Sequence, residues 1–532
     1  MSKIYNADLG NGMYKNPVLY GDYSDPDVCR AGEDYFMTAS SFCNAPGLPL
    51  LHSKDLVNWR VVNYILKKIP GERYDKPIHG CGVWAPSIRY HEGKFFVCFP
   101  MPDEGIFMTT AADPFGEWSE PVNIRPGAGW IDPCPFWDDD GKAYLVAGVA
   151  KSRIDYKSVL HMVEMRPDGM GLIGDEVKIF DGNENDQETI EGPKLYKRNG
   201  YYYIFAPAGG VKTGWQTVLR SKEIFGPYEY KVVMRQGDTD INGPHQGAWV
   251  DTVTGEDWFL HFRDVYSAGR IVYLEPMRWE NDYPIIGIAK NGADHGEPVE
   301  QYKKPNVGEV KSEPCEPDTS DDFSGEKLGL QWQWNANPQD GWYELTKSGL
   351  KLNAIAREKN IPYGDVPNIL LQKWCAPEFC CVTRLDLSRL ADGGTVGVIS
   401  LGTEYALLKM KKDGGEIIFS FVKGSQKFGK ILVEETKEDE KFLERKNSEQ
   451  CRKIFVRYTV TKIGTQYLSE EKADFSLEEV VLEYGFDGEA YTEAGRMNAV
   501  PGRWVGVKNG VFCIAENSSG GYLLVENVEY SR

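Results

Sequence analysis

Apolar runs, basic clusters and the familiar catalytic signatures are all scarce in this 532-residue chain, and each scarcity removes a class of function. No apolar run reaches the ~20 residues that a membrane-spanning helix needs, so no membrane partner is expected. Lys and Arg number 60 against 79 Asp and Glu, a net charge of −19. No dense basic tract offers the footprint that nucleic acid requires, so that partner is not expected either. There is no G-x-S-x-G elbow, H-E-x-x-H pair, P-loop or Rossmann glycine fingerprint. What these absences leave is a neutral small molecule or a neutral polymer.

Cysteine is present but unpaired in pattern. The eleven residues include no C-x-x-C, and several lie in apolar strand-like runs, as Cys98 does in FFVCF. Buried reduced thiols are therefore expected. The start, MSKIYNADLG, carries no apolar leader, and a cytoplasmic location is the expectation.

The length exceeds one ordinary core, so two or more domains are expected. Residues 16 to 290 are short alternating apolar runs broken by Gly, Asp and Asn turns, an all-β pattern. Within them one phrase recurs five times: Pro, a short apolar stretch, a Gly turn, then an aromatic-rich strand. Its prolines are 26, 86, 133, 193 and 244, spaced by 60, 47, 60 and 51 residues. In the fourth copy, GPKLYKRNGYYYIFAPAG, the Asn199-Gly200 pair marks a hairpin. A second phrase, HSKDLVNW, TTAADPFGEW and RSKEIFGPY, reads as the outer end of three units. Units of ~50 residues with about four strands each are blades of a β-propeller.

We expect a five-bladed propeller over 10–302, a Pro- and acid-rich linker over 303–320, and a β-sandwich over 321–532. The charged run from Glu434 to Ser448 reads as a solvated excursion.

The innermost strand of each blade lines one axial channel, so the residues beside the five prolines converge. Three are carboxylates: Asp25 before Pro26, Asp132 before Pro133, and Glu191 two before Pro193. His245 follows Pro244. A lone Asp-Pro is usually a turn opener. Three acids at repeat-equivalent positions are harder to dismiss, because crowded carboxylates repel and raise at least one pKa. One ionised and one protonated carboxyl across a bond is the requirement of glycoside hydrolysis, and a third can tune the acid. Trp84, Phe42 and Trp130 are candidate apolar walls, though each alone reads more simply as core.

The set YSDPDV, HSKDLVNW, GVWAPSI, WIDPCPFWDDDGKAYLV and ETIEGPKLYKRNGYYYIF resembles glycoside hydrolase family 43, five-bladed propeller enzymes acting on xylan and arabinan side chains and oligomers. FSGEKLGLQWQWNANP resembles the concanavalin-like sandwich of the family's β-xylosidase branch. The Asn-Asp-Pro-Asn, Arg-Asp-Pro and Glu-Cys signatures of invertase-type propellers are absent. The resemblance implies Asp25 as general base, Glu191 as general acid and Asp132 as the acid that orients it. It further implies four substrate-binding residues: Trp84 and Phe42 around the sugar, His245 near the axis, and Arg270 on a substrate hydroxyl, with Arg263 its competitor.

The expected activity is that of an inverting exo-β-xylosidase on short oligosaccharides, with α-L-arabinofuranosidase or arabinanase action as the alternative. A non-catalytic carbohydrate-binding propeller is the rival from another class. No cofactor is required, a structural calcium near His245 is the one metal left room for, and homo-oligomers are compatible with the resemblance.

Overall fold

The computed structural model describes residues 4–290, 292–358, 360–468, 473–516 and 520–532. Five four-stranded antiparallel sheets follow one another in the first half. Their innermost strands are Asp27–Ala31, Ser87–His91, Trp130–Trp137, Lys194–Arg198 and His245–Asp251. Four of the five begin on the residue after a repeat proline, where no ladder N–H is needed. In the third, Pro133 lies inside the strand, and the register shifts between Ile131 and Cys134. The Arg198–Tyr201 hairpin turns through Asn199 and Gly200, both with positive φ.

Strands packed between neighbouring blades have no solvent face and lose alternation. Lys94–Met101, KFFVCFPM, is buried everywhere after its first residue. The core is accordingly five separate interblade clusters. Phe36 and Leu50 of the first blade meet Phe95 and Val97 of the second. Cys98 and Met108 then meet Leu145 and Val163, and Tyr144 and Leu160 meet Ile204 and Leu219. Phe205 and Val218 meet Phe259 and Met277, and Leu260 and Leu274 return to Met37 and Leu51. The ring is closed by packing, since each blade's four strands come from one segment. The N-terminal residues clasp the last blade, with Tyr14 donating to Leu274 O at 2.7 Å.

Two further sheets form the second half, one led by Gln333–Trp334 and Leu370–Lys373, the other by Tyr343–Thr346 and Gly349–Asn353. The charged run is a regular strand, Val433–Asn447, on the edge of the first sheet and mostly exposed. Its charges suit an edge that must not recruit another sheet. Among the described residues no helix is long and apolar enough to cross a membrane. The cysteines are all free thiols.

The two halves meet through buried polar contacts. Asn337 accepts from Ile69 N at 2.7 Å and donates to Ile69 O at 2.9 Å. Lys508 donates to Asn44 at 2.9 Å, and Asp22 accepts from Gly506 N at 3.0 Å. Asn337→Ala strands a buried N–H and C=O, so a loss of about 2–4 kcal/mol and a melting point lower by about 5–10 °C are expected. Scanning calorimetry checks this, and an unchanged transition would refute the docking role.

Candidate active site

The heads of the innermost strands share an unusual backbone. Asp25, Asp132, Gly192 and Gly243, each directly before its proline, have φ of 57°, 55°, 59° and 52°. That region is free to glycine and tolerated by Asp. Glu191 is therefore offset by one residue from Asp25 and Asp132, with a glycine in their position. A Cβ on Gly192 would meet Gln246 Cγ at 2.9 Å, so only glycine lets this backbone pass.

The three acids line one pocket of about 230 Å3 but have different company. Asp25 accepts from Ser24 Oγ at 2.7 Å, Ser40 Oγ at 2.6 Å and Arg270 Nη1 at 3.1 Å. Asp132 accepts from Gly192 N at 2.8 Å and Gln246 Nε2 at 3.3 Å. No donor in hydrogen-bonding geometry reaches the Glu191 carboxyl among the described residues. His245 Nε2 lies 3.4 Å away but off the bonding direction, and both its ring nitrogens are without a partner.

Burial and crowding set the charges. Burial first, then Asp132, pushes Glu191 up to about 8. Burial and Asp25 push Asp132 up to about 7, against the pull of Gly192 N–H, Lys194 and Gln246. Burial drives His245 down to about 3, so its imidazole is neutral. Arg270 is also buried, but Asp25, Asp264, Asp22 and Glu191 outweigh that cost and raise its pKa. Lys194, buried below the acids, donates to Pro86 O at 3.0 Å and Ser87 Oγ at 2.8 Å.

Aromatics form the wall. Phe42, at φ 52°, is fixed by paired backbone bonds with Val83. Trp84 anchors its indole on Gly80 O at 3.1 Å. Trp504, from the second half of the chain, meets Trp84 edge-on at 4.8 Å. Its loop is held by Asp22, which also accepts from Arg270 N at 3.0 Å. Asp25, Phe42, Asp132, Gln246 and Trp504 all hold positive φ in this one pocket. Each costs about 1–3 kcal/mol and persists only where surroundings enforce it.

Asp25, Phe42, Trp84, Asp132, Glu191 and Arg270 thus lie together. Arg263 is elsewhere, donating to Asn242 at 3.0 Å. His245 is fully buried behind Glu191, so its expected place among the substrate contacts is corrected to a support beneath the wall. Trp130 takes the simpler of its two readings: it is core between the second and third blades, with Arg125 over its ring at 4.0 Å. Calcium prefers six or more oxygens. Among the described residues no three His, Cys, Asp or Glu side chains gather to hold a metal. Sequence reasoning missed Gln246, Trp504 and the pocket-lining Lys151 and Lys157. Gln246 had a signal, its place beside His245 in GPHQG; Trp504 had none.

Comparison with known proteins gives concordant matches. Residues 14–284 match the model described as Glycosyl hydrolases family 43, and 320–531 match the Beta xylosidase C-terminal Concanavalin A-like domain. A provisionally named β-xylosidase of Xylanibacter ruminicola is 37% identical over 95% of this chain and 87% of its own. A β-xylosidase of Formosa agariphila is 30% identical over 98% and 91%. A non-reducing end α-L-arabinofuranosidase of Bacteroides ovatus is 29% identical over 77% and 78%. In fold alone, the solved Bacteroides ovatus xyloglucan-locus protein GH43B is similar, at TM-score 0.77 and 23% identity over 98% of this chain and 99% of that one.

Asp132→Asn removes the like charge that acts most strongly on Glu191, so Glu191 should titrate below about 8. Infrared titration of the carboxyl band reads this, and an unmoved Glu191 would contradict the coupling.

Proposed function

The chain belongs to glycosyl hydrolase family 43, and from that premise we propose an inverting exo-glycosidase that releases xylose from short xylo-oligosaccharides, with arabinofuranose as its second sugar. The observation that carries the assignment of roles is the contrast between Asp25 and Glu191. Asp25 is held by three donors, one of them a guanidinium, whereas Glu191 has none and stays protonated near neutral pH. Environments that push two carboxyls apart in this way separate base from acid.

Glu191 gives its proton to the glycosidic oxygen as the bond from that oxygen to C1 breaks. Asp25 takes a proton from the water whose oxygen attacks C1 on the opposite face. Inversion requires about 6.5–9.5 Å between the two carboxyls to seat that water. Asp132 keeps the Glu191 proton in place by repulsion, and Arg270 fixes the base. Trp504, Trp84 and Phe42 give the sugar apolar walls, and a pocket of about 230 Å3 suits an end residue better than the middle of a polymer.

Glu191→Ala should lower kcat/KM on xylobiose by about a hundred- to ten-thousandfold. A smaller loss is expected on aryl xylosides whose leaving group needs no proton. Full activity in that variant would sink the acid assignment. Xylose released in the α configuration, seen by NMR within the first turnovers, is the expected sign of inversion; β-xylose would refute it. In the native enzyme kcat/KM should fall as pH rises through about 8, where Glu191 loses its proton. Glu191→Gln should lack that limb on an activated substrate. Trp504→Ala should raise KM about tenfold with less effect on kcat, the ~1.4 kcal/mol of one lost aromatic wall.

A further inference from the structure

The axial channel has a second mouth. The innermost strands start beside the carboxyls and run away from them, and their far ends surround a cavity of about 480 Å3. Every blade contributes: Arg30, Tyr90, Trp137, Tyr196 and Trp249 come one from each innermost strand. That size falls among small-molecule sites, about 300–1,000 Å3, with room for roughly two or three pentose rings.

The lining narrows the ligand class in two ways. Trp137 stacks with His91 at 4.8 Å and 14°, and Tyr196 packs against Trp249 at 5.1 Å. The indole N–H groups are already spent, Trp137 on Pro167 O and Trp249 on Asp257, each at 2.7 Å. What these half-buried rings offer the cavity is carbon surface. The charges, in turn, are mutually compensated. Arg30 pairs with Asp251 and Arg89 with Asp27, each at 2.6 Å, while Lys197 pairs with Asp138 and Asp139. With three cations against four carboxylates, such a lining has no spare positive charge for an anionic ligand. Its adjacent donors and acceptors match vicinal hydroxyls, and its aromatic carbon matches the C–H face of a sugar.

We propose that this far mouth is a second, non-catalytic binding site for a neutral pentose oligosaccharide. It holds a segment of the polymer whose ends the catalytic pocket consumes, and for the identity of the sugar it rests on the substrate reading above. Calorimetric titration of the Glu191→Gln protein with xylotetraose tests it. Two binding events per chain are expected, the weaker with Kd near ~1 mM. Tyr90→Ala and Trp137→Ala, each added to that background, should abolish the weaker event or loosen it by about tenfold. Alone in the native enzyme, each should leave kcat/KM for 4-nitrophenyl β-D-xylopyranoside within about twofold. Tyr90 is 44% exposed, so its replacement spares the core and keeps the test open if Trp137→Ala misfolds. A single event per chain that both replacements leave untouched, or a second event untouched by both, overturns the proposal. A single event that the replacements abolish or loosen supports this site and counts against the substrate reading instead.

Discussion

Three carboxyl groups in one small pocket repel one another, and the rest of this structure is organised around tolerating that repulsion. Two buried cations face it: Arg270 binds Asp25 directly, and Lys194 acts on Asp132 from below. The Gly192 N–H adds a fixed dipole on Asp132. Arg270 and Lys157 act on Glu191 only through their charge, with no hydrogen bond, so the group best able to relieve the strain by holding a proton is the one left without donors. The proton needed for catalysis is thus the cheapest answer to an electrostatic problem that the backbone creates.

That backbone is fixed from outside the pocket. The left-handed turn before four of the five repeat prolines aims its residue at the axis, and such turns are stable only if the blades cannot relax. The five interblade clusters supply that rigidity. The second half of the chain adds its share through Asp22, which ties the backbone of Arg270 to the loop carrying Trp504. One buried carboxylate therefore positions both the cation beside Asp25 and the aromatic wall.

The propeller was legible because its physics repeats along the chain. Pro at strand starts, Asn199-Gly200 at a hairpin and unbroken apolar second strands are local necessities that recur at blade spacing. The acids were legible for the same reason, since convergence follows from repetition. The offset of Glu191 was not, because a carboxylate beside Gly192 and an aspartate in the turn look alike until φ is known. Trp504 was invisible for a different reason: it reaches the pocket through tertiary docking of a distant loop, which leaves no periodic trace. His245 misled through depth, since proximity to the axis does not distinguish a wall from what stands behind it.

The two mouths of the axis show how one scaffold separates chemistry from recognition. Each innermost strand sends its head to one mouth and its tail to the other, so the same five segments furnish both linings. At the head, the Glu191 carboxyl is left without a hydrogen-bond donor, and burial and Asp132 hold its proton in place. At the tail, acids stand beside cations, Asp251 beside Arg30 and Asp139 beside Lys197. The difference lies in pairing, not in residue type. A carboxylate becomes an acid here only where the fold withholds its partner.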